Sequence, residues 1–152
     1  MIKVLFCCHG NICRSTMSQF VLQDMVNKLG IAELFSIDSR GTSTEEIGNP
    51  PHRGTVRKMQ EVGIPVIPHR ATLITWNDYN NFDYIIGMDE WNMRNLNRML
   101  KGDPEGKVYK LLSFAGSDRD IADPWYTGNF DMTYDDVVEG CKGFLEYLKE
   151  RN

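Results

Sequence analysis

The chain has 152 residues, of which 25% are charged and 41% are hydrophobic, and its formal net charge is −4. This length predicts one domain, residues 1–152, with a core large enough to need no disulfide or metal ion. The acidic balance argues against non-specific binding to nucleic acid, and no apolar run is long enough to predict a membrane span.

Apolar runs typical of strands alternate with helical patterns along the chain. The first run, residues 2–7, is almost wholly apolar, as is typical of a parallel strand that is buried on both faces. Further strands are predicted at residues 35–39, 82–88 and 107–114, and helices are predicted before Gly30 and at residues 52–61, 89–101 and 135–149. Residues 115–133 predict a long loop, which in a compact domain is more often functional than idle.

This alternation predicts an α/β protein with a doubly wound, four-stranded parallel sheet and helices on both faces. In such sheets ligands bind beyond the carboxyl ends of the strands. Four stretches are predicted to follow strands at that edge and to converge there: residues 8–15, Ser39, residues 88–89 and the loop after Phe114.

The first of these stretches reads Cys8-His9-Gly10-Asn11-Ile12-Cys13-Arg14-Ser15. A loop between a strand and a helix has free backbone N–H groups and the positive end of the helix dipole, so it is suited to hold an anion. The same field favours a thiolate over a thiol at Cys8. Arg14 can bind two oxygens of a tetrahedral oxyanion at once, and Ser15 offers a hydroxyl near the sulfur at a predicted N-cap.

These residue types predict phosphoryl transfer through a covalent phosphocysteine. The backbone N–H groups of residues 9–14 and the Arg14 side chain would neutralise the phosphoryl oxygens, so no metal and no cofactor is required. The leaving oxygen needs a proton, and the same group can later activate water. Six aspartates lie between Asp118 and Asp136, and spacing alone does not select one of them.

From Val4 to Ser15 the sequence closely resembles the N-terminal signature of the low-molecular-weight protein tyrosine phosphatases, and the similarity extends from Lys3 to Leu148. The resemblance implies that the general acid and base is Asp123, in the run Asp123-Pro124-Trp125-Tyr126. It also implies that Ser15 hydrogen-bonds the thiolate. Cys13 resembles the second loop cysteine of the family, which can form a disulfide with Cys8 and shield it from over-oxidation.

The resemblance further implies a supporting network and a substrate cleft. Asn11, Ser39 and His69 resemble the polar residues that hold the loop in shape, with Asp89 paired to His69. The cleft is expected to be lined by Ile12, Glu45, Trp125 and Tyr126, with His9 at its mouth. Glu45 and Glu46 stand where many members of the family have an aromatic residue, and an acidic rim would discourage acidic phosphopeptides.

The expected activity is hydrolysis of phosphotyrosine in protein substrates and of small aryl phosphates. An arsenate reductase on the same scaffold needs further thiols, and only Cys141 lies beyond the loop region. A phosphoarginine phosphatase resembles this chain but favours threonine where this chain has Ile12. A binding module without catalysis would be expected to have lost the nucleophile or the acid, and both are present.

The expected setting is the cytoplasm, because the four cysteines do not form a disulfide scaffold and the N-terminal run does not resemble a signal peptide. The expected partner is a phosphotyrosine-containing protein. The chain is expected to be a monomer or a weak homodimer, with no nucleic-acid or membrane partner.

Overall fold

The computed structural model describes residues 1–151 and contains one sheet of four parallel strands. The strands lie in the order β2-β1-β3-β4. Their bounds are Ile2–Cys8 for β1, Phe35–Gly41 for β2, Tyr84–Gly87 for β3 and Val108–Lys110 for β4. The predicted α/β class, the number of strands and their parallel pairing are confirmed.

Six helices and two short 3₁₀ segments connect the strands. The helices are α1 at Arg14–Lys28, α2 at Arg53–Val62, α3 at Trp76–Asn81, α4 at Glu90–Met99, α5 at Pro124–Thr127 and α6 at Phe130–Arg151. The 3₁₀ segments are Ala32–Leu34 and Leu111–Ala115. Within residues 1–151, no helix is both long and apolar enough to cross a membrane.

Strand β1 supplies both layers of the core. Successive side chains of a strand point to opposite faces, so Val4 and Phe6 join the cluster that packs against α1 and α6. Leu5 and Cys7 join the second cluster, which contains Tyr79 of α3 and residues of α4. The helices therefore cover both faces of the sheet, as the doubly wound prediction requires.

The segment from residue 107 to residue 133 differs from its prediction. The fourth strand was predicted over residues 107–114, but β4 has only three residues and the chain then enters a 3₁₀ turn. That turn packs against α6, where a Cβ added at Gly140 would lie 2.4 Å from Leu111. The expected loop 115–133 also contains α5 and the start of α6, which begins at Phe130 rather than at residue 135.

Helix α3 was also missed, because its residues, Trp-Asn-Asp-Tyr-Asn-Asn, have low helix propensity. A capping box begins it, in which the Thr75 hydroxyl accepts from the Asp78 N–H and the Asp78 carboxylate accepts from the Thr75 N–H.

The register brings three strand ends to the same level. Cys8 lies opposite Gly41 on β2, and Cys7 lies opposite Gly87 on β3. Ser39 is inside β2, beside Phe6, rather than beyond the end of the strand. The loops that follow β1 and β3 consequently leave the sheet next to each other, and the candidate site lies at this edge.

Candidate active site

Cys8 is the last residue of β1 and is almost fully buried beneath the loop that follows it. Its Sγ atom lies 3.0 Å from Oγ of Ser15 and 3.4 Å from the backbone nitrogen of Ser15. The predicted contact between Ser15 and the sulfur is present. Ser15 is not the N-cap of α1, however, because the helix begins at Arg14 and Cys13 occupies the cap position without a side-chain hydrogen bond.

The direction of the Ser15 hydroxyl follows from its other partner. Asn11 donates a hydrogen bond from Nδ2 to Oγ of Ser15 at 2.9 Å. The hydroxyl accepts that bond, so its own hydrogen remains available for the sulfur of Cys8. A donor in this position stabilises a thiolate.

The loop also offers unpaired backbone donors. The N–H groups of residues 10–14 have no hydrogen-bond partner within residues 1–151. Successive N–H groups in a curved loop form a concave site for anions, and α1 adds the positive end of its dipole. The loop lies close to β2, because a Cβ added at Gly41 would lie 3.0 Å from the carbonyl oxygen of His9. Gly41, which sequence reasoning missed, permits this approach.

Arg14 is buried and is held by three acceptors. Its Nη1 donates to Oδ2 of Asp89 at 2.6 Å and to the carbonyl oxygen of Ile121 at 2.9 Å, and its Nη2 lies 3.4 Å from Oδ2 of Asp123. Burial alone would lower the pKa of Arg14, but the charges of Cys8, Asp89 and Asp123 raise it above its usual value. The Nε–H group is buried and has no partner within the described residues.

Asp123 reaches the site from a loop far along the sequence. It is the N-cap of α5, where its Oδ1 accepts from the N–H of Trp125 at 3.0 Å and Pro124 occupies the first helical position. The other oxygen, Oδ2, faces Arg14. One carboxylate oxygen therefore fixes the side chain while the second remains at the cleft, where the side chain is 23% exposed.

A buried polar network supports the loop from the side of β2. Asn11 adopts a left-handed backbone conformation, with a φ of 60°. Its Nδ2 also donates to Oγ of Ser39 at 3.0 Å, and its Oδ1 lies 2.9 Å from Nε2 of His69. Asn11, Ser39 and His69, together with Ser15, therefore meet at one place, and Asp89 is the predicted member of the network that does not.

Two further members of this network were not predicted. Gln19 accepts a hydrogen bond from Oγ of Ser39 at 2.6 Å, and the N–H of Thr72 donates to Oδ1 of Asn11 at 3.0 Å. Gln19 is one turn after Ser15 on the buried side of α1, and a polar residue among Met17, Phe20 and Val21 was the only signal in the sequence.

The predicted pairing of Asp89 with His69 is wrong. Asp89 caps α4 by accepting from the N–H of Asn92 at 2.7 Å, and its second oxygen binds Arg14. His69 instead lies 3.7 Å from Asp38, measured from Nδ1 to Oδ1. Burial lowers the pKa of His69 below its usual value and Arg40 acts in the same direction, while Asp38 opposes them.

A cleft opens above Cys8 and contains the predicted substrate-contacting residues. Its lining comprises Cys8, His9, Gly10, Ile12, Cys13, Glu45, Glu46, Asp123, Trp125 and Tyr126. Trp125 and Tyr126 are exposed and form one side of the cleft. Elsewhere in the lining, Nε2 of His9 lies 3.1 Å from Oε2 of Glu45. The cleft thus has an aromatic wall and an acidic wall.

His52, which was not predicted as part of the site, ties the loop to the aromatic wall. Its N–H donates to the carbonyl oxygen of Ile12 at 2.8 Å. Its ring stacks on Phe130 at 5.4 Å between centroids and contacts the edge of Trp125 at 5.6 Å. Burial, with the neighbouring charge of Arg53, lowers the pKa of His52.

The four cysteines are free thiols, and all are buried. Burial, together with the charge of Cys8, raises the pKa of Cys13 to about 12. Burial also raises the pKa of Cys7 and of Cys141. Among residues 1–151, no group of three or more histidine, cysteine, aspartate or glutamate side chains is placed to hold a metal ion.

Comparison with known proteins gives one consistent family. Residues 3–152 match the model of the low molecular weight phosphotyrosine protein phosphatases. The Staphylococcus epidermidis protein described as low molecular weight protein-tyrosine-phosphatase PtpA is 36% identical over 149 residues, which cover 97% of this chain and 94% of that protein.

Solved structures with the same fold include that of YfkJ from Bacillus subtilis. It is 36% identical with a TM-score of 0.95, and the match covers 100% of this chain and 97% of the YfkJ chain. A low molecular weight protein tyrosine phosphatase from Streptococcus pyogenes is 39% identical with a TM-score of 0.86, and both chains are covered completely. A Drosophila arginine phosphatase, DARP, is 31% identical with a TM-score of 0.89, over 97% of this chain and 98% of its own.

Proposed function

The chain belongs to the family of low molecular weight phosphotyrosine protein phosphatases, and on that premise we propose how its residues hydrolyse phosphotyrosine. It is a cysteine-dependent protein-tyrosine phosphatase. The assignment of roles to individual residues rests on one observation above all. Arg14, from the loop around Cys8, contacts Asp123, so the nucleophile, the cation and the acid share one cleft.

In the first step the thiolate of Cys8 attacks the phosphorus of phosphotyrosine. An S–P bond forms and the bond from phosphorus to the phenolic oxygen breaks. Asp123 gives its proton to that oxygen, so tyrosine leaves as the neutral phenol. The free N–H groups of residues 10–14 and the guanidinium of Arg14 hold the phosphoryl oxygens, whose charge is spread in the transition state.

In the second step water attacks the phosphocysteine. Asp123, now a carboxylate, accepts the proton of the water, the S–P bond breaks, and the electron pair returns to the sulfur. The hydroxyl and the N–H of Ser15 stabilise the departing thiolate. Asp123 ends the cycle protonated, the product is inorganic phosphate, and no metal or cofactor takes part.

Asp89 is proposed as a positioning residue for Arg14. The carboxylate is fixed by its cap of α4 and holds Nη1 of the guanidinium, together with the carbonyl oxygen of Ile121. Ser39 and His69 are proposed to hold the side chain of Asn11, and through it the loop. A preorganised site needs no rearrangement at the moment of reaction, which is the main source of electrostatic catalysis.

The cleft favours a flat aromatic leaving group. Ile12 presents an apolar side chain to the cleft, and Trp125 forms the aromatic wall beside it. A phenyl ring can lie between these surfaces, whereas a phosphoarginine side chain is charged and gains less from them. Phosphoarginine remains the second candidate substrate, because the structurally similar DARP is described as an arginine phosphatase.

The substrate is tested by comparing release of phosphate from matched peptides that carry phosphotyrosine or phosphoarginine. We expect the wild-type protein to favour phosphotyrosine and Ile12→Thr to reduce that preference. Faster hydrolysis of the phosphoarginine peptide by the wild-type protein would contradict the assignment. Arsenate reduction is not favoured, because it needs a further thiol beyond the loop to pass on the oxidising equivalent. Cys141 is the cysteine beyond the loop, and it is fully buried on α6.

We further propose a cytoplasmic setting, a phosphotyrosine protein as substrate, a monomer or weak homodimer, and one phosphatase domain over residues 1–152. The free thiols support a reducing compartment. The family match from residue 3 supports the domain bounds. Sedimentation of the purified protein tests the oligomeric state.

A further inference from the structure

A second groove adjoins the cleft on the far side of the aromatic wall. One side of it is formed by α2, including Arg53, Arg57 and Lys58, and the other by residues 127–131, which join the end of α5 to the start of α6. His52 lines this groove and also contacts Trp125, which lines the cleft. The groove, defined by these residues and called the basic groove below, thus begins where the cleft ends.

The basic groove carries positive charge that the chain does not neutralise. Lys58 is paired with Asp131 at 2.7 Å and with Glu61 at 3.3 Å. Arg53 and Arg57 are both exposed, and neither side chain has an ion-pair or hydrogen-bond partner in the described part of the chain. In a protein with a net charge of −4, two unpaired guanidinium groups in one groove are a local exception.

The positions of these arginines are unfavourable for the helix itself. Arg53 is the first residue of α2, where the helix dipole disfavours a cation, and the first turn contains no acidic residue. Arg57 follows four residues later on the same face, so the two like charges repel each other. The stability of α2 therefore does not account for the two arginines. Residues that oppose the local preferences of a helix in this way are commonly functional.

We propose that the basic groove binds an acidic segment of the phosphoprotein substrate, on one side of the phosphotyrosine. This inference rests on the proposed function, because the phosphotyrosine has to occupy the cleft. A guanidinium can bind a carboxylate through two parallel hydrogen bonds, which gives direction as well as attraction. The lining of the cleft itself includes Glu45 and Glu46, which would repel the same segment.

The two charged surfaces together orient the peptide. Acidic residues of the substrate lie over α2, and the residues that pass Glu45 and Glu46 are neutral or basic. The expectation that an acidic rim discourages acidic phosphopeptides is thereby restricted to the part of the substrate that passes these glutamates. The preference should depend on the side of the phosphotyrosine that carries the acidic residues and should weaken as salt screens the charges.

The test uses three phosphotyrosine peptides that differ only in having glutamates before the phosphotyrosine, glutamates after it, or alanines on both sides. At low salt, we expect one of the two acidic peptides to exceed the alanine peptide in kcat/KM by about threefold to tenfold, the range of a few exposed ion pairs. In Arg53→Ala/Arg57→Ala the ratio of that acidic peptide to the alanine peptide should fall to about 1. Arg94→Ala, which removes an exposed arginine of α4, is the matched control and should keep the wild-type ratio.

The proposal is overturned if neither acidic peptide exceeds the alanine peptide, or if the double variant keeps the wild-type ratio. Both outcomes differ from a failure of the proposed function, in which the wild-type protein would release no phosphate from the alanine peptide. Hydrolysis of para-nitrophenyl phosphate, which is too small to reach α2, reports whether each variant is folded and competent.

Discussion

Nη2 of Arg14 lies 3.4 Å from Oδ2 of Asp123, although 109 residues separate them in sequence. The contact joins the anion-binding loop after β1 to the N-cap of α5. A cation and a carboxylate at this distance would contact neighbouring oxygens of one phosphoryl group. Arg14 would contact the equatorial oxygens, and Asp123 would contact the oxygen of the leaving group.

The geometry of Arg14 is predicted to matter as much as its charge. Arg14→Lys keeps the positive charge but loses the planar fork that binds two oxygens, and it leaves Asp89 or Ile121 without a donor. We expect kcat/KM for para-nitrophenyl phosphate to fall by about 10²-fold to 10³-fold, the loss usual for an oxyanion donor. An activity within a few-fold of wild type would show that charge alone suffices. Arg94→Lys is the control for an exposed arginine.

The contribution of Asp123 to the rate is predicted to grow with the basicity of the leaving group. Asp123→Asn retains an oxygen that can accept from the N–H of Trp125, so α5 should stay capped, but the amide cannot donate a proton to phenolate. We expect kcat for phenyl phosphate to fall by about 10²-fold to 10⁴-fold, and that for dinitrophenyl phosphate, whose leaving group needs no proton, to fall much less.

The matched control for Asp123 is Asp118→Asn. It changes a carboxylate between the 3₁₀ turn at Leu111–Ala115 and α5 that makes no side-chain contact with Arg14. It should leave both rates unchanged. An equal loss for the two aryl phosphates in Asp123→Asn would argue against its role as the acid in the first step.

His69 is predicted to make the stability of the fold depend on pH. Its pKa is lowered in the folded protein, so the unfolded chain binds a proton more readily. Its contribution to stability is present above about pH 6.5, the usual histidine value, and is lost as the pH falls through the folded pKa. In urea unfolding between pH 5 and pH 8, His69→Gln should therefore lose less stability on acidification than wild type. Identical pH profiles would contradict this expectation, since the other groups titrate equally in both proteins.

Cys13 is predicted to protect the nucleophile from irreversible oxidation. Peroxide oxidises the Cys8 thiolate to a sulfenic acid, and the thiol of Cys13 then displaces water to form a disulfide that a thiol reductant reopens. Cys7 is the neighbour of Cys8 in β1, so its side chain points to the opposite face of the sheet and is not placed to do this.

We expect wild type to recover most of its activity when peroxide treatment is followed by dithiothreitol, and Cys13→Ser to recover little. Cys141→Ala, which changes a buried thiol on α6, should behave as wild type. Equal recovery of activity by Cys13→Ser and wild type would contradict a protective role for Cys13.

The sequence predicted the sheet and the loop well because both depend on local signals. The apolar run of β1 and the anion-binding loop after it are contiguous, and alternation of strands and helices restricts the topology. The short β4 and the turn at Leu111–Ala115 were not predictable in this way. An apolar run of that length does not distinguish a strand from a turn that is buried against α6.

The supporting contacts of the site were the least predictable part. Asp89 was assigned to His69, but it binds Arg14, because the choice depends on how the loop after β3 and the α2–α3 connection lie in space. Gln19, Thr72 and His52 form no sequence motif. They enter the site only through the packing of α1, of the α2–α3 connection and of the N-terminus of α2. Such contacts follow from tertiary structure, which spacing along the chain does not encode.

In the proposed mechanism the phosphoryl group passes through Cys8. The direct measurement is rapid acid quenching during turnover of para-nitrophenyl phosphate, followed by mass spectrometry of the peptide that contains residues 8–14. We expect a phosphocysteine at Cys8 that forms and decays within one turnover, and we expect neither this species nor hydrolysis in Cys8→Ser. Turnover at the wild-type rate by Cys8→Ser, or phosphate release by wild type with no phosphorylated Cys8, would contradict it.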